Sequence, residues 1–214
     1  MRSAGMVPPP GFPAVARDAA ASSLPDLPAW RRWEREVRGC HRCPFAATRT
    51  HPVLYRGAPH PSVLFLGEAP GAEEDRRGVP FVGRAGRLLD QAIARVGLST
   101  AEIGVANLLK CRPPLNHFDP AAARRCRPFL DRQIELLAPS RIVTLGRHPL
   151  HALVPGAPPI LAAAGAPIPG HRPPVFPLLH PAAALRSRAF AARWQSDLLR
   201  LREWLHPPEM GQAH

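Results

Sequence analysis

The stretch 62-SVLFLGEAPGAEEDRRGVPFVGRAG-86 decides the fold that the sequence predicts. Ser62 to Leu66 is a short apolar run that ends at Gly67, which indicates a buried strand. From Arg84 to Val96, apolar residues return at helical spacing, which indicates an amphipathic helix. A short strand, a glycine-rich loop and a helix in this order are typical of an α/β protein.

The rest of the chain repeats this alternation. Further strands are predicted at Gly104 to Asn107, Arg141 to Leu145 and Val175 to Leu179. Further helices are predicted at Trp30 to Arg38, Ala121 to Leu137, Arg147 to Leu153 and Ala189 to Leu205, with a long loop over 155–174. These elements predict a mainly parallel sheet with helices on both faces, whose ligand site lies beyond the carboxyl ends of the strands.

Length and composition indicate one domain with two tails. Of the 214 residues, 30–206 carry the α/β pattern, whereas 1–29 are rich in Pro and Ala and are expected to be disordered, and 207–214 form a short C-terminal tail. No window has the roughly 18 consecutive apolar residues of a membrane span, and the start lacks the apolar core of a signal peptide. We therefore expect a monomeric, cytoplasmic protein with no membrane partner.

The charge balance favours a polyanionic partner. The chain has 28 Lys and Arg against 16 Asp and Glu, which gives a formal net charge of +12 at pH 7. Such a surplus is typical of proteins that bind nucleic acid. Lys110 is the only lysine, and Ala, Pro and Arg are abundant, so a GC-rich coding sequence accounts for part of the arginine excess.

The four cysteines indicate a metal site. In a reducing compartment, thiols more often bind a metal or take part in redox chemistry than form disulfides. Cys40 and Cys43 have C-x2-C spacing, while Cys111 and Cys126 lie far along the chain, and cationic neighbours such as Lys110 predict lowered thiol pKa values. Four thiolates suit either zinc or an iron–sulfur cluster, and the spacing does not separate the two.

The loop from Gly67 to Gly86 carries groups suited to chemistry on a planar ligand. Its glycines allow tight turns and close approach of the backbone to a ligand. Glu68 and Glu74 could position or deprotonate a water, although acidic residues here also fit a solvated turn. Phe81 could stack on a base, with ordinary core packing as an equal alternative. The loop matches neither the Walker phosphate loop nor the dinucleotide-binding glycine pattern.

Four segments, in this order, resemble the family-4 uracil-DNA glycosylases. They are GEAPG (67–71), PFVGRAG (80–86), NLLKCRPP (107–114) and LHPAAALRSR (179–188), and the cysteines fit the same family. The resemblance covers roughly residues 30–205. It implies an α/β/α fold with a four-stranded sheet, and an enzyme that hydrolyses the bond between uracil and deoxyribose in DNA. It also implies a structural [4Fe–4S] cluster with the ligands Cys40, Cys43, Cys111 and Cys126.

The resemblance further implies roles for individual residues around an extruded base. Phe81 would stack on uracil, Asn107 would read its Watson–Crick edge, and His180 would face its O2 carbonyl. An amide offers one donor and one acceptor, which match N3–H and O4 of uracil, whereas cytosine presents the opposite pattern. Leu185 and Arg186 would enter the minor groove of DNA and hold the gap that the base leaves.

The group that activates the water stays open. Better-known uracil glycosylases have an Asp at the third position of the first motif, where this chain has Ala69, a substitution that the family-4 pattern shares. Ala69 is then expected to contact the substrate. Glu74 is the first candidate for the group that positions or activates the water, and Glu68 is the second. A dissociative reaction needs only a positioned water and a stabilised leaving base, so a strong base is not required.

Two other functions are compatible with parts of the sequence. A related subfamily traps uracil-containing DNA covalently through a histidine, and His117 lies in the corresponding loop. However, that subfamily has Gln where this chain has Ala69, which favours the hydrolytic family. A non-catalytic nucleic-acid-binding protein with structural zinc would explain the charge and the cysteines. It would not explain why Glu68, Phe81, Asn107 and His180 all fall at the ends of predicted strands or in the loops after them.

Overall fold

In the computed structural model, residues 28–207 are described, so the predicted tails at 1–29 and 207–214 lie almost wholly outside the described residues. The strands are β1 (Arg56–Gly57), β2 (Val63–Gly67), β3 (Ile103–Asn107), β4 (Arg141–Leu145) and β5 (Val175–Leu178). The helices are α1 (Pro28–Arg38), α2 (Ala72–Arg77), α3 (Arg84–Arg95), α4 (Pro120–Leu137), α5 (Arg147–Leu153), α6 (Ile160–Ala163), α7 (Pro181–Ala184) and α8 (Arg188–Leu205).

The strands form one sheet in the order β1-β3-β2-β4-β5. The strands β3, β2, β4 and β5 pair in parallel, and β1 pairs with β3 in the antiparallel sense. The predicted α/β class and the mainly parallel sheet are confirmed. The predicted number of four strands is wrong, because the sheet has a fifth, β1, of only two residues. A strand so short gives no periodic pattern to detect.

The predicted helices are all present, and three short ones were missed. The acidic residues after Gly71 form α2 rather than an irregular turn, and the predicted long loop over 155–174 contains α6. The third, α7, follows His180, which accepts a hydrogen bond at its N-terminus. Helices of four to six residues cannot display a full amphipathic repeat, so periodicity does not reveal them.

The core lies on both faces of the sheet. All five residues of β2 are buried. Leu64 and Leu66 pack into a cluster with α1, α4 and α5, whereas Val63 and Phe65 pack into a cluster with α3 and α8. Successive side chains of a strand point to opposite faces, so an apolar run of this kind belongs to a central strand covered on both sides.

The register of the sheet brings the ends of β2 and β3 together. Gly67 is paired with Asn107, so the residues that follow both strands emerge side by side at the carboxyl edge. Backbone bonding continues beyond the strands, since Leu108 N donates to Gly67 O at 2.9 Å and Leu109 N donates to Glu68 O at 2.9 Å. Over the described residues, the structure has no helix with the length and apolar character needed to cross a membrane.

Candidate active site

A cavity of about 390 Å³ opens at the carboxyl edge of the sheet. This volume falls within the range of about 300–1,000 Å³ that is common for small-molecule pockets. The predicted site residues that line it are Glu68, Ala69, Glu74, Phe81, Asn107, His180 and Arg186. The carboxyl ends of three different strands, with the loops that follow them, therefore bring the residues predicted to contact the base into one place.

Asn107 forms the polar end of this cavity. Its side chain is 1% exposed, and neither Oδ1 nor Nδ2 has a hydrogen-bond partner within the part of the chain that the structure describes. A Cβ added to Gly67 would overlap Asn107 Oδ1 and lie 2.5 Å from Phe81 Cζ, so only glycine leaves both groups free. A buried amide without a partner costs about 1–3 kcal/mol, which is repaid when a ligand supplies the missing bonds.

Phe81 has a backbone conformation that is unusual for an aromatic residue. Its φ of 55° lies in the left-handed region, and its side chain is buried in the cluster on the α3 face. A Cβ at Gly86 would overlap the carbonyl oxygen of Phe81, so glycine is required there. Arg56 Nε donates to Pro80 O at 3.0 Å and fixes the preceding residue. Such strain is often found at functional sites.

Glu74 stabilises the loop that bears Phe81. Its Oε1 accepts hydrogen bonds from the backbone nitrogens of Val82 at 2.9 Å and Gly83 at 2.8 Å, and its Oε2 accepts one from Gly71 N at 3.1 Å. Both carboxylate oxygens are thus bound to backbone donors. This arrangement makes Glu74 a residue that positions the loop, and it leaves Glu68 as the carboxylate with fewer internal partners.

His180 is held as a neutral hydrogen-bond donor. Burial, followed by the nearby Arg186, lowers the pKa of its imidazole from 6.5 to about 4. Its Nδ1 accepts a hydrogen bond from Ala182 N at 3.1 Å, so the single proton of the neutral ring lies on Nε2. The ring centroid is 5.8 Å from that of Phe81, with an angle of 31° between the planes.

Glu68 lines this cavity and lies close to His148, which lines a second one. Burial raises the pKa of its carboxyl group, and Arg147 lowers it in part. Its Oε2 is 3.8 Å from His148 Nε2. This contact is not an ion pair near neutral pH, because burial and the charge of Arg147 lower the pKa of His148 to about 4.

The second cavity, of about 560 Å³, is a basic cleft that the sequence did not reveal. Its lining includes Phe118, Arg124, Arg127, Arg147, His148 and His151, and no acidic residue. The rings of Phe118 and His148 stack with centroids 3.6 Å apart. Arg124 and Arg147 are exposed to solvent, whereas Arg127 is paired with Asp131 at 2.5 Å. The cleft presents exposed cations beside a flat ring surface.

The four cysteines line a single small cavity between α1 and α4. Arg49 Nη1 donates to Cys111 Sγ at 3.1 Å, and Arg42 N donates to Cys40 Sγ at 3.4 Å. Among residues 28–207, no three His, Cys, Asp or Glu side chains are grouped as ligands of one metal ion. The donor set of four thiols with cationic and N–H donors nevertheless fits a thiolate-bound cluster.

The prediction of lowered thiol pKa values is wrong for two cysteines. Burial raises the pKa of Cys126 to about 11 and also raises that of Cys111, and the neighbouring cations offset only part of this effect. The sequence shows that the cations are near but not that the thiols are desolvated.

Lys110 connects the cysteine site to the cavity. It is fully buried, its Nζ donates to Asn107 O at 2.6 Å, and it is bonded to Gln133 Oε1. Burial lowers the pKa of its amine to about 8. Gln133 in turn donates to Leu54 O at 3.0 Å. Nothing in the sequence singled out Gln133 or Arg49, since the contact of Gln133 with Leu54 and that of Arg49 with Cys111 each join distant parts of the chain.

The two residues predicted to contact DNA lie in the turn between α7 and α8. Leu185 is 43% exposed, and Arg186 lines the cavity. His117, the residue of the covalent alternative, is exposed, and the lining of the cavity includes its neighbour Asn116 instead. The geometry therefore gives the covalent alternative no support.

Comparison with known proteins finds one family. The model of the uracil DNA glycosylase superfamily matches residues 54–199. The chain is 38% identical to a type-4 uracil-DNA glycosylase of Saccharolobus solfataricus over 79% of this chain and 83% of that protein. It is 39% identical to that of Thermotoga maritima over 72% of this chain and 81% of that protein. It is 46% identical to that of Sulfurisphaera tokodaii over 54% of this chain, a match that spans 53% of the relative's length.

Proposed function

Because the chain belongs to the uracil DNA glycosylase superfamily, we propose that it removes uracil from DNA and leaves an abasic site. The observation that carries this proposal is the convergence of Phe81, Asn107 and His180 on one cavity, with the amide of Asn107 unpaired among the described residues. A buried amide in that state is suited to a ligand that brings both a donor and an acceptor.

Base selection rests on Phe81 and Asn107. The ring of Phe81 supplies a flat apolar surface for an extruded pyrimidine. Asn107 Oδ1 accepts from N3–H of uracil and Nδ2 donates to O4, whereas cytosine would place like groups against each other. Such a mismatch leaves buried polar groups unpaired, which is the strongest form of discrimination that a pocket offers.

His180 stabilises the departing base. When the bond between N1 of uracil and C1′ of deoxyribose breaks, the electron pair moves to the base and negative charge develops at O2. The Nε2–H of neutral His180 donates to O2 and stabilises this charge without giving up its proton. Water then adds to C1′ and loses a proton, and the base takes up a proton.

Glu68 is the carboxylate that we assign to the attacking water. Glu74 was the first candidate from the sequence, but its two oxygens already accept three backbone hydrogen bonds. Glu68 lines the same cavity and follows β2 directly, beside the methyl group of Ala69. The reaction needs a positioned water more than a strong base, so a partly buried carboxylate suffices.

DNA is held by cations on the same edge of the sheet. Arg186 borders the cavity, and the exposed Arg124 and Arg147 in the basic cleft are suited to phosphates of the DNA. Leu185 and Arg186 hold the gap left by the extruded nucleotide. The net charge of +12 supports such a partner. The proposal includes action as a monomer in the cytoplasm, which light scattering and fractionation would test.

An iron–sulfur cluster is proposed for the cysteine cavity. Cys40, Cys43, Cys111 and Cys126 would hold it, and its role would be a structural cross-link between the end of α1, the loop after β3, and α4. Each iron of a four-iron cluster takes one thiolate, so the sulfurs need not converge on one ion as they would around zinc. Arg49 and Lys110 would offset the negative charge of the thiolates.

The test is release of free uracil from a uracil-containing oligonucleotide, measured by mass spectrometry beside the same oligonucleotide with thymine. The proposal expects free uracil and an alkali-sensitive strand. Binding without release would instead indicate a non-catalytic binder, and a band that survives denaturation would indicate covalent trapping. Iron and sulfide analysis of anaerobically purified protein tests the cluster, for which zinc alone would be the contrary result.

A further inference from the structure

The loop between β3 and α4 presents an apolar residue at the rim of the active-site cavity. Pro113 and Asn116 line the cavity, and Leu115 lies between them in a 3-10 turn, Pro114–Asn116. This loop follows the strand that ends at Asn107. Leu115 therefore stands close to the base-reading amide along the chain, but it is not among the residues that line the cavity.

Leu115 is the most exposed large apolar side chain among the described residues, at 80%. A single exposed leucine is common on protein surfaces. Leu115 also has a φ of 54°, and the next residue, Asn116, has a φ of 58°. Two successive residues, neither of them glycine, therefore adopt the left-handed region. That conformation is unfavourable for leucine, and such strain tends to persist at functional sites.

Local contacts hold the turn in this shape. Asn116 N donates to Pro113 O at 2.9 Å, and His117 N donates to Pro114 O at 3.0 Å. The side chain of Asn116 accepts from Arg112 Nε at 3.0 Å. The turn is thus fixed by bonds that do not involve the side chain of Leu115, which is left to project into solvent.

Leu115 and Leu185 flank the cavity from two sides. In the sheet, β2 and β4 separate β3, which precedes Leu115, from β5, which precedes Leu185. The loop after β3 contributes Pro113 and Asn116 to the rim, and the segment after β5 contributes Ala182 and Arg186. Two exposed leucines, each next to residues that line the cavity, fit a partner with apolar surfaces on both sides of the extruded base.

We propose that Leu115 is a second apolar wedge, which inserts into duplex DNA on the side of the extruded nucleotide away from Leu185. This inference rests on the proposed function and adds a residue to its DNA interface. Extrusion of a base from a duplex leaves unstacked neighbours and an unpaired partner base, and an apolar side chain fills that gap. Single-stranded DNA has no such gap, so Leu115 contributes to action on duplex DNA only.

The test compares uracil excision from duplex and single-stranded oligonucleotides under single-turnover conditions. Leu115→Ala should lower the rate on duplex DNA by about tenfold or more, as expected from loss of a buried leucine side chain, and change the rate on single-stranded DNA by less than about twofold. A positive φ is unfavourable for both Ala and Leu, so this change tests the contribution of the side chain and leaves the backbone conformation comparable. Leu115→Met keeps an apolar side chain of similar reach and should restore most of the duplex rate.

Leu199→Ala is the matched control, because Leu199 is 59% exposed on α8 and lies outside the lining of the cavity. It should match the wild type on both substrates. The proposal is overturned if Leu115→Ala keeps the wild-type duplex rate, if it loses both rates equally, or if the wild type acts on single-stranded DNA alone. Absence of uracil release from either substrate by the wild type would instead refute the proposed function itself.

Discussion

Replacing Asn107 with alanine should separate activity from stability. Asn107 is buried, and its two polar atoms have no partner in the described part of the chain, so the folded state bears a desolvation cost of about 1–3 kcal/mol. Alanine removes that cost together with some packing. We therefore expect the free energy of unfolding to stay within about 1 kcal/mol of the wild type, or to rise.

The effect on catalysis should be large. Asn107→Ala removes two hydrogen bonds to uracil, each contributing about 1.4 kcal/mol in a buried site, which corresponds to a fall of about one-hundredfold in kcat/KM. The assay is steady-state excision of uracil, combined with urea denaturation followed by circular dichroism.

Gln133→Ala provides the contrast. Gln133 is an equally buried amide, but its nitrogen donates to Leu54 O at 3.0 Å and its oxygen is bonded to Lys110. Its removal should destabilise the domain by several kcal/mol, on the order of 3, because Lys110 loses a partner. The reasoning is refuted if Asn107→Ala destabilises the protein as much as Gln133→Ala does, or if Asn107→Ala retains wild-type excision.

Three further predictions concern pH, the cysteines and the basic cleft. Since the folded-state pKa of His180 is about 4 and its ordinary value is 6.5, the active neutral form should persist down to about pH 4, while the folded state loses stability as the pH falls from 6.5 to 4. A titration of the His180 imidazole in folded protein, followed by NMR, checks this without interference from Glu68, and a midpoint near 6.5 would contradict it. Cys111→Ser should lose bound iron and have a lower Tm, as measured by iron analysis and calorimetry. A variant that kept its iron content and Tm would show that the ligand set is wrong. Arg124→Ala should weaken DNA binding and, if Arg124 neutralises one phosphate, reduce the slope of log Kd against log salt by about 1. Arg202 is an exposed arginine near the far end of α8, and Arg202→Ala should change neither quantity. Equal slopes for the two variants would show that the basic cleft is not part of the DNA interface.

The sequence predicted those parts of the fold that depend on local pattern. The apolar run before Gly67 marked the central strand, and its position before a glycine-rich loop placed the site at the carboxyl edge. The resemblance to the family-4 uracil-DNA glycosylases, rather than local pattern, implied that Phe81, Asn107 and His180 share a pocket, and they line one cavity. Strand β1 escaped notice, because two residues carry no periodicity.

The remaining features of the site depend on contacts between distant residues. Glu74 was predicted for the water, but its bonds to Val82 and Gly83 arise only when the loop folds back on α2. The proton of His180 is assigned to Nε2 by a bond to Ala182 N, which no composition or spacing reveals. Likewise, burial of Cys126 raises the pKa of its thiol to about 11 although the charge of Lys110 lowers it, since desolvation of the thiol outweighs the attraction.

The most direct measurement is a crystal structure of the protein with uracil soaked into the active-site cavity. The account predicts that the ring of uracil lies on Phe81, that N3–H and O4 meet the amide of Asn107, and that O2 lies within hydrogen-bond distance of His180 Nε2. A uracil bound elsewhere, or bound in this cavity without contact to the amide of Asn107, would contradict it.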